Sequence, residues 1–166
     1  MTSLIHPSST VSKSVQIGEN VKIGPFCKID GNIIIGEGTE LKSHVSITGN
    51  TTIGKNNIFY PFSNIGCDPQ DLKYNGEESF LKIGNNNTFR ENVTISKGTK
   101  DGGMTTSIKD NNLFMTGVHI AHDCKINNNN IFVNQVTLGG HVNIQDNVVI
   151  GGLSAVIQFV TIGSYS

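Results

Sequence analysis

Large apolar side chains recur every six residues along almost the whole chain. Stepping by six from Ile5 meets Val11, Ile17, Ile23, Ile29, Ile35, Leu41, Ile47, Ile53, Phe59 and Ile65, all aliphatic or aromatic. Asp71 and Glu77 break the series, and Ile83, Phe89 and Ile95 resume it in the same register. Residues 101–107 then shift the phase, after which Ile108, Phe114, Ile120, Ile126, Phe132, Leu138, Ile144, Ile150, Val156 and Ile162 follow in unbroken steps. A period of six fits neither an amphipathic helix nor a simple alternating strand. A fixed short repeat is instead the signature of a solenoid.

A second position supports the register. Four residues after the large side chain, small or β-branched residues dominate: Val15, Val21, Cys27, Val45, Val93, Val118, Cys124, Val136, Val142 and Val148. Gly often follows the large residue, as in Ile17-Gly18, Ile23-Gly24, Ile53-Gly54 and Ile83-Gly84. Such a chain makes a short strand, turns a corner and makes another. Three hexads close one triangular coil, and coils stack through parallel ladders. The expectation is an all-β parallel β-helix of hexapeptide repeats, a single domain over residues 1–166, with about eight coils and a height of roughly 35 Å. The two interruptions, residues 71–82 and 101–107, should protrude as loops from one corner.

Composition narrows the function classes. The formal net charge is −1 and only 15% of residues are charged, so no basic field points to nucleic acid. Polarity comes from Asn, Ser, Thr and 19 glycines, the residues that tight corners need. No apolar run approaches the length of a membrane span, and the first residues lack the pattern of a signal peptide. Cys27, Cys67 and Cys124 are odd in number and widely spaced, which favours a reduced, cytoplasmic setting over disulfides or a zinc ribbon. Cys27 and Cys124 fall on the small-residue position and read as buried small hydrophobes.

Eighteen-residue stepping shows which side chains stack. Gly140 lies one coil above His122, Gln158 one coil above Gly140, and His141 above Asp123. His119 precedes His122 by three residues on the same face, and both loops leave that face at one corner. His122, third in its hexad, should point outward. An outward His in a polar row is by itself an ordinary surface residue; the company of Asp123, His119 and His141 raises it to a candidate general base. A Gly one coil up offers an unobstructed N–H to a developing oxyanion.

Four segments carry a resemblance: His119-Ile-Ala-His122-Asp123-Cys124, Gln70-Asp71-Leu72-Lys73-Tyr74-Asn75-Gly76-Glu77, Gly24-Pro25-Phe26-Cys27 and Arg90-Glu91-Asn92-Val93-Thr94-Ile95. From about Ile5 onward the chain resembles the hexapeptide-repeat O-acyltransferases that act on UDP-N-acetylglucosamine at the first step of lipid A biosynthesis. The resemblance implies a left-handed β-helix and transfer of a 3-hydroxyacyl chain from acyl carrier protein to the sugar 3-hydroxyl. It assigns His122 as general base, Asp123 as the group that orients it, and Gly140 as the N–H that polarises the thioester carbonyl. Asp71, Lys73, His119, His141 and Gln158 would contact substrate, in a homotrimer with no metal and no cofactor. Ile157 stands where the family usually has His. The resemblance also implies further coils and a helical C-terminal domain, whereas the sequence stops inside a hexad at Ile162–Ser166; a folded prism with reduced acyl transfer is the expectation. Alternative readings are a folded but inactive remnant, a related N-acyltransferase, and a γ-type metal-dependent enzyme using His119, His122 and His141.

Overall fold

A computed structural model describes residues 3–166 as a left-handed parallel β-helix, built from short strands that stack coil upon coil. The expected domain also includes Met1 and Thr2, which lie outside the described residues. Most strands are two residues long and end on the large apolar position, as in Lys22–Ile23, Thr88–Phe89 and Thr137–Leu138. One sheet forms the first face of the prism and stacks eight strands from Leu4–Ile5 to Val149–Ile150. The other two faces form one continuous fourteen-stranded sheet. They are joined because Lys28–Ile35 and Ser46–Ile53 run round a corner without a break. Gly31 and Gly49 pair at that corner with φ of 132° and 71°, backbone that a side chain would strain.

Pairing is parallel and in register throughout, apart from one irregularity between Ile95 and Ser96. Ile83 lies above Ile53 and below Ile108, and Ile95 lies above Ile65 and below Ile120, so both insertions are looped out while the ladder continues. The excursions occupy residues 68–79 and 97–104, a few residues earlier than the pattern suggests. Hexad spacing fixes how many residues are extra, not where the chain leaves the ladder. Leu81, Thr106 and their neighbours add to the strands Phe80–Ile83 and Thr105–Ile108 because both side chains are buried.

Two internal ladders tie the coils together. Phe59, Phe89, Phe114 and Phe132 stack with centroids 4.7, 4.8 and 4.8 Å apart and nearly parallel planes. At a corner, buried Asn57, Asn87, Asn112 and Asn130 each accept, at the side-chain oxygen, a backbone N–H from the coil above. Buried backbone groups that a corner would otherwise orphan are thereby satisfied. Cys27 and Cys124 are buried and all three cysteines are free; burial pushes the Cys124 thiol up to about 12, which makes it inert. Among the described residues no helix is long and apolar enough to cross a membrane.

Candidate active site

The site sits on the corner from which both loops depart, one coil above the exit of the second loop and two above that of the first. The chain turns there through Ala121, His122 and Asp123, then through Gly139, Gly140 and His141 on the next coil. Asp123 and His141 both take left-handed φ values, 60° and 62°, so each side chain is carried on a corner rather than on a strand. His141 N–H donates to the His122 carbonyl at 3.0 Å, which holds the two corners in register.

His122 Nδ1–H donates to Asp123 Oδ2 at 2.8 Å. With Nδ1 protonated in that bond, the Nε2 lone pair is left free to accept a proton. A methyl group built on Gly140 would lie 2.5 Å from His122 Cε1 and 2.7 Å from Nε2, so only glycine leaves the ring its place. The Gly140 N–H donates no hydrogen bond among the described residues. His141 stands edge-on to His122 with centroids 5.0 Å apart, and its other face stacks on Phe159 at 4.4 Å. Gln158 is exposed one coil above Gly140.

Burial corrects one expectation. His122 was expected to face outward, yet it is 5% exposed and Asp123 3%. The reason lies in the second loop, which the hexad pattern cannot place. Its short 3-10 turn, Lys100–Gly102, folds over Asp123, and a methyl on Gly102 would fall 1.9 Å from the carboxylate carbon. Thr99 donates its N–H to Asp123 Oδ1 at 2.9 Å and its hydroxyl to Oδ2 at 2.6 Å, while Thr106 Oγ1 accepts the Asp123 N–H at 2.8 Å. Sequence reading singled out none of Thr99, Gly102 or Thr106. Only the positions of Gly102 and Thr106 within the phase-shifting residues 101–107 hinted at them.

Asp71, half-buried, and Lys73, exposed, lie on the first loop along a depression of about 320 Å³ that Thr99, Lys100 and Asp101 also line. Neither touches the dyad; Thr99 is the residue common to both places. The loops are clasped together. Lys97 Nζ pairs with Asp68 at 2.9 Å and donates to Tyr74 Oη at 3.2 Å, and Glu77 accepts the Lys100 N–H at 3.2 Å. Burial pulls the Lys97 ammonium down, but Asp68 and Tyr74 outweigh it and leave its pKa raised.

His119, half-buried on the same face, shares a 2.7 Å hydrogen bond between its Nδ1 and Thr94 Oγ1. Burial, and secondarily the charge of His122, holds its pKa below the ordinary value. In the unfolded chain His119 titrates near 6.5. As pH falls, the unfolded state therefore takes up this proton first, so the contribution is present above about pH 6.5 and is lost as pH drops below it. His119→Gln should shrink the drop in urea midpoint between about pH 7.5 and about pH 5.5. An unchanged drop would show that His119 is not depressed.

His122, Asp123 and His141 place ligand atoms within 4.8 Å of one another, a grouping that a metal could use. The donors fit one poorly. Asp123 already accepts from Thr99 N–H, Thr99 Oγ1–H and His122 Nδ1–H, and His122 Nδ1 is committed to that bond. His119, the third histidine of the metal alternative, falls outside the group. What remains is an imidazole oriented by a carboxylate, with the Gly140 N–H unbonded on the coil above.

Known proteins give the same architecture a lineage. The bacterial transferase hexapeptide pattern (six repeats) matches residues 105–140. Over 160 residues the chain is 52% identical to an acyl-[acyl-carrier-protein]–UDP-N-acetylglucosamine O-acyltransferase of Aliarcobacter butzleri, a match covering 96% of this chain and 62% of that protein. Along nearly its whole length this chain is similar to an acyltransferase, and part of it carries the hexapeptide pattern. A relative of the same name from Rickettsia bellii is 53% identical over 122 residues, 74% of this chain and 43% of that one. The solved UDP-N-acetylglucosamine acyltransferase of Francisella novicida superposes with a TM-score of 0.94 at 45% identity, over 96% of this chain and 58% of its own. The O-acyltransferase of Moraxella catarrhalis gives 0.94 at 46%, over 95% and 62%. The chain thus spans less than two thirds of the length of these relatives, and the corner just described lies within the matched part of the family's fold.

Proposed function

We propose that this chain carries the acyl-transfer site for UDP-N-acetylglucosamine, moving a 3-hydroxyacyl group from acyl carrier protein to the sugar 3-hydroxyl as the first step of lipid A synthesis. The observation that carries the reading is the Asp123–His122 pair held beside the free Gly140 N–H on one corner. His122 Nε2 takes the proton of the sugar hydroxyl as its oxygen attacks the thioester carbonyl. The carbonyl oxygen, gaining negative charge, receives the Gly140 N–H. Collapse expels the carrier's thiolate, which recovers the proton from His122. The thioester is already activated, so the scheme calls on no cofactor and no metal.

His119, His141 and Gln158 ring this corner and contact the sugar and acyl groups. Asp71 and Lys73 reach substrate from the first loop, and Lys73 brings a point charge suited to a diphosphate. The described residues act as one β-helix domain, and three free cysteines suit the cytoplasm, where the carrier protein would be met. The test is a steady-state assay with 3-hydroxyacyl carrier protein and UDP-N-acetylglucosamine. Absence of both turnover and sugar-nucleotide binding would overturn the reading.

A homotrimer completes the proposal. On the eight-stranded face, Leu113, Met115, Ile131, Val133 and Val149 form an apolar patch on the outside, while Phe114, Phe132 and Ile150 fill the inside. Val149 is exposed and the other four are half-buried, and an outward apolar patch of this kind marks an association site. Two neighbouring prisms packed there would also turn a shallow corner into a cleft. Ile131→Glu should convert the trimer to single chains by light scattering with an unchanged circular dichroism spectrum. A mass unaffected by that charge would remove this face as the interface.

A further inference from the structure

We propose that Thr99 is the positioning residue of this site: from the second loop it fixes the Asp123 carboxylate and, through it, the tautomer of His122. The proposal rests on the acyl-transfer reading for its catalytic consequence, though not for its geometry.

Asp123 Oδ2 accepts the His122 Nδ1–H at 2.8 Å and the Thr99 hydroxyl at 2.6 Å, while the Thr99 N–H spans both oxygens at 2.9 and 3.1 Å. Two donors from one residue therefore hold the plane of the carboxylate that faces the imidazole. Thr99 is itself immobilised. Its carbonyl accepts the N–H of Gly102 at 3.2 Å and of Met104 at 2.8 Å, so the turn that follows locks its backbone. Thr99 occupies the N-cap of the Lys100–Gly102 turn, where a Thr hydroxyl ordinarily bonds the turn's own N–H groups, yet it makes no such bond. That hydroxyl goes to Asp123 instead. Gly102 closes the other side of the carboxylate with no room for a methyl group.

A carboxylate free to rotate would leave Nδ1 without a fixed acceptor, and the neutral imidazole would then populate both tautomers. Only the Nδ1–H form presents Nε2 as a base. Charge-assisted hydrogen bonds of this kind are strong enough that their loss should lower turnover by about 10–100-fold.

The experiment uses the chain labelled with ¹⁵N-histidine, with Thr99→Val, Thr99→Ser and Gly102→Ala. At a pH where the ring is neutral, the ¹⁵N shifts of His122 in the unaltered chain should report one tautomer, Nδ1–H. Thr99→Val and Gly102→Ala should report a mixture, and Thr99→Ser should return to one form. With substrates, Thr99→Val should lower kcat by about 10–100-fold at nearly constant KM, and Thr99→Ser should restore it. If Thr99→Val does not fold, Thr99→Ala removes the same donor with less steric change and is read in the same way. A single Nδ1–H tautomer persisting in the Thr99→Val or Thr99→Ala variant overturns the proposal. The tautomer readout needs no substrate, so a chain without acyl transfer would fail the functional reading and leave this one standing or falling on its own.

Discussion

Replacing His122 with alanine should lower acyl transfer by about 10²–10⁴-fold, the usual contribution of a general base. The loss should fall on kcat, since the ring is proposed to remove a proton rather than to grip the sugar nucleotide. Lys73→Ala should show the opposite division, with KM for the UDP-sugar raised and kcat much less affected. The prism should survive the change. Asp123 keeps both donors from Thr99 when the imidazole is gone, so no buried carboxylate is left unpaired. His141 retains its backbone hydrogen bond to the coil below through the His122 carbonyl, which alanine also has. Circular dichroism and the urea midpoint check the fold, and single-turnover kinetics check the chemical step. An unaltered rate in a folded variant would eliminate His122 as the base.

The core was legible because every turn of the prism asks for the same residue at the same place. Ile23, Leu41, Phe59, Phe89, Phe114 and Phe132 occupy one column and are all buried, as six-residue spacing implies. Spacing also brings Gly140 over His122, because stacking is a matter of counting once the coil length is known. What counting cannot supply is the path of a segment that leaves the ladder. The second loop folds back on Asp123, and that return is why His122 is buried rather than open. Nothing in the order Lys97-Gly98-Thr99-Lys100 distinguishes a clamp from a solvated loop. A similar limit applies to asparagine. Composition marks it as a turn residue, whereas Asn57, Asn87, Asn112 and Asn130 form a buried ladder whose partners lie in other coils. Periodicity reports burial of apolar side chains; the polar groups that satisfy the corners and aim the site depend on contacts between segments far apart in sequence.

Phe89→Ala should destabilise the chain by about 3–5 kcal/mol, the range for emptying a fully packed aromatic site. Phe89 has no exposed surface and lies between Phe59 and Phe114, with centroids 4.7 and 4.8 Å away and planes within 4°. Its removal forfeits two stacked contacts as well as the buried area, each worth about 0.5–1.5 kcal/mol beyond burial. The cavity cannot easily collapse. Parallel ladders hold Thr88–Phe89 to Ile58–Phe59 below and to Leu113–Phe114 above, so the spacing of the coils is set by backbone rather than by the ring. Position matters too, because each coil contacts only its neighbours. Phe89 lies between the exits of the two loops, and weakening that coil should let the lower and upper parts of the prism unfold at different denaturant concentrations. The unaltered chain should therefore show a steeper urea transition than Phe89→Ala, while Leu153→Ser, an exposed change, should stay within about 0.5 kcal/mol of it. All three must be compared at one protein concentration, since association adds to apparent stability. A loss below about 1 kcal/mol for Phe89→Ala, with a single transition as steep as before, would show that the phenylalanine column is filling rather than support.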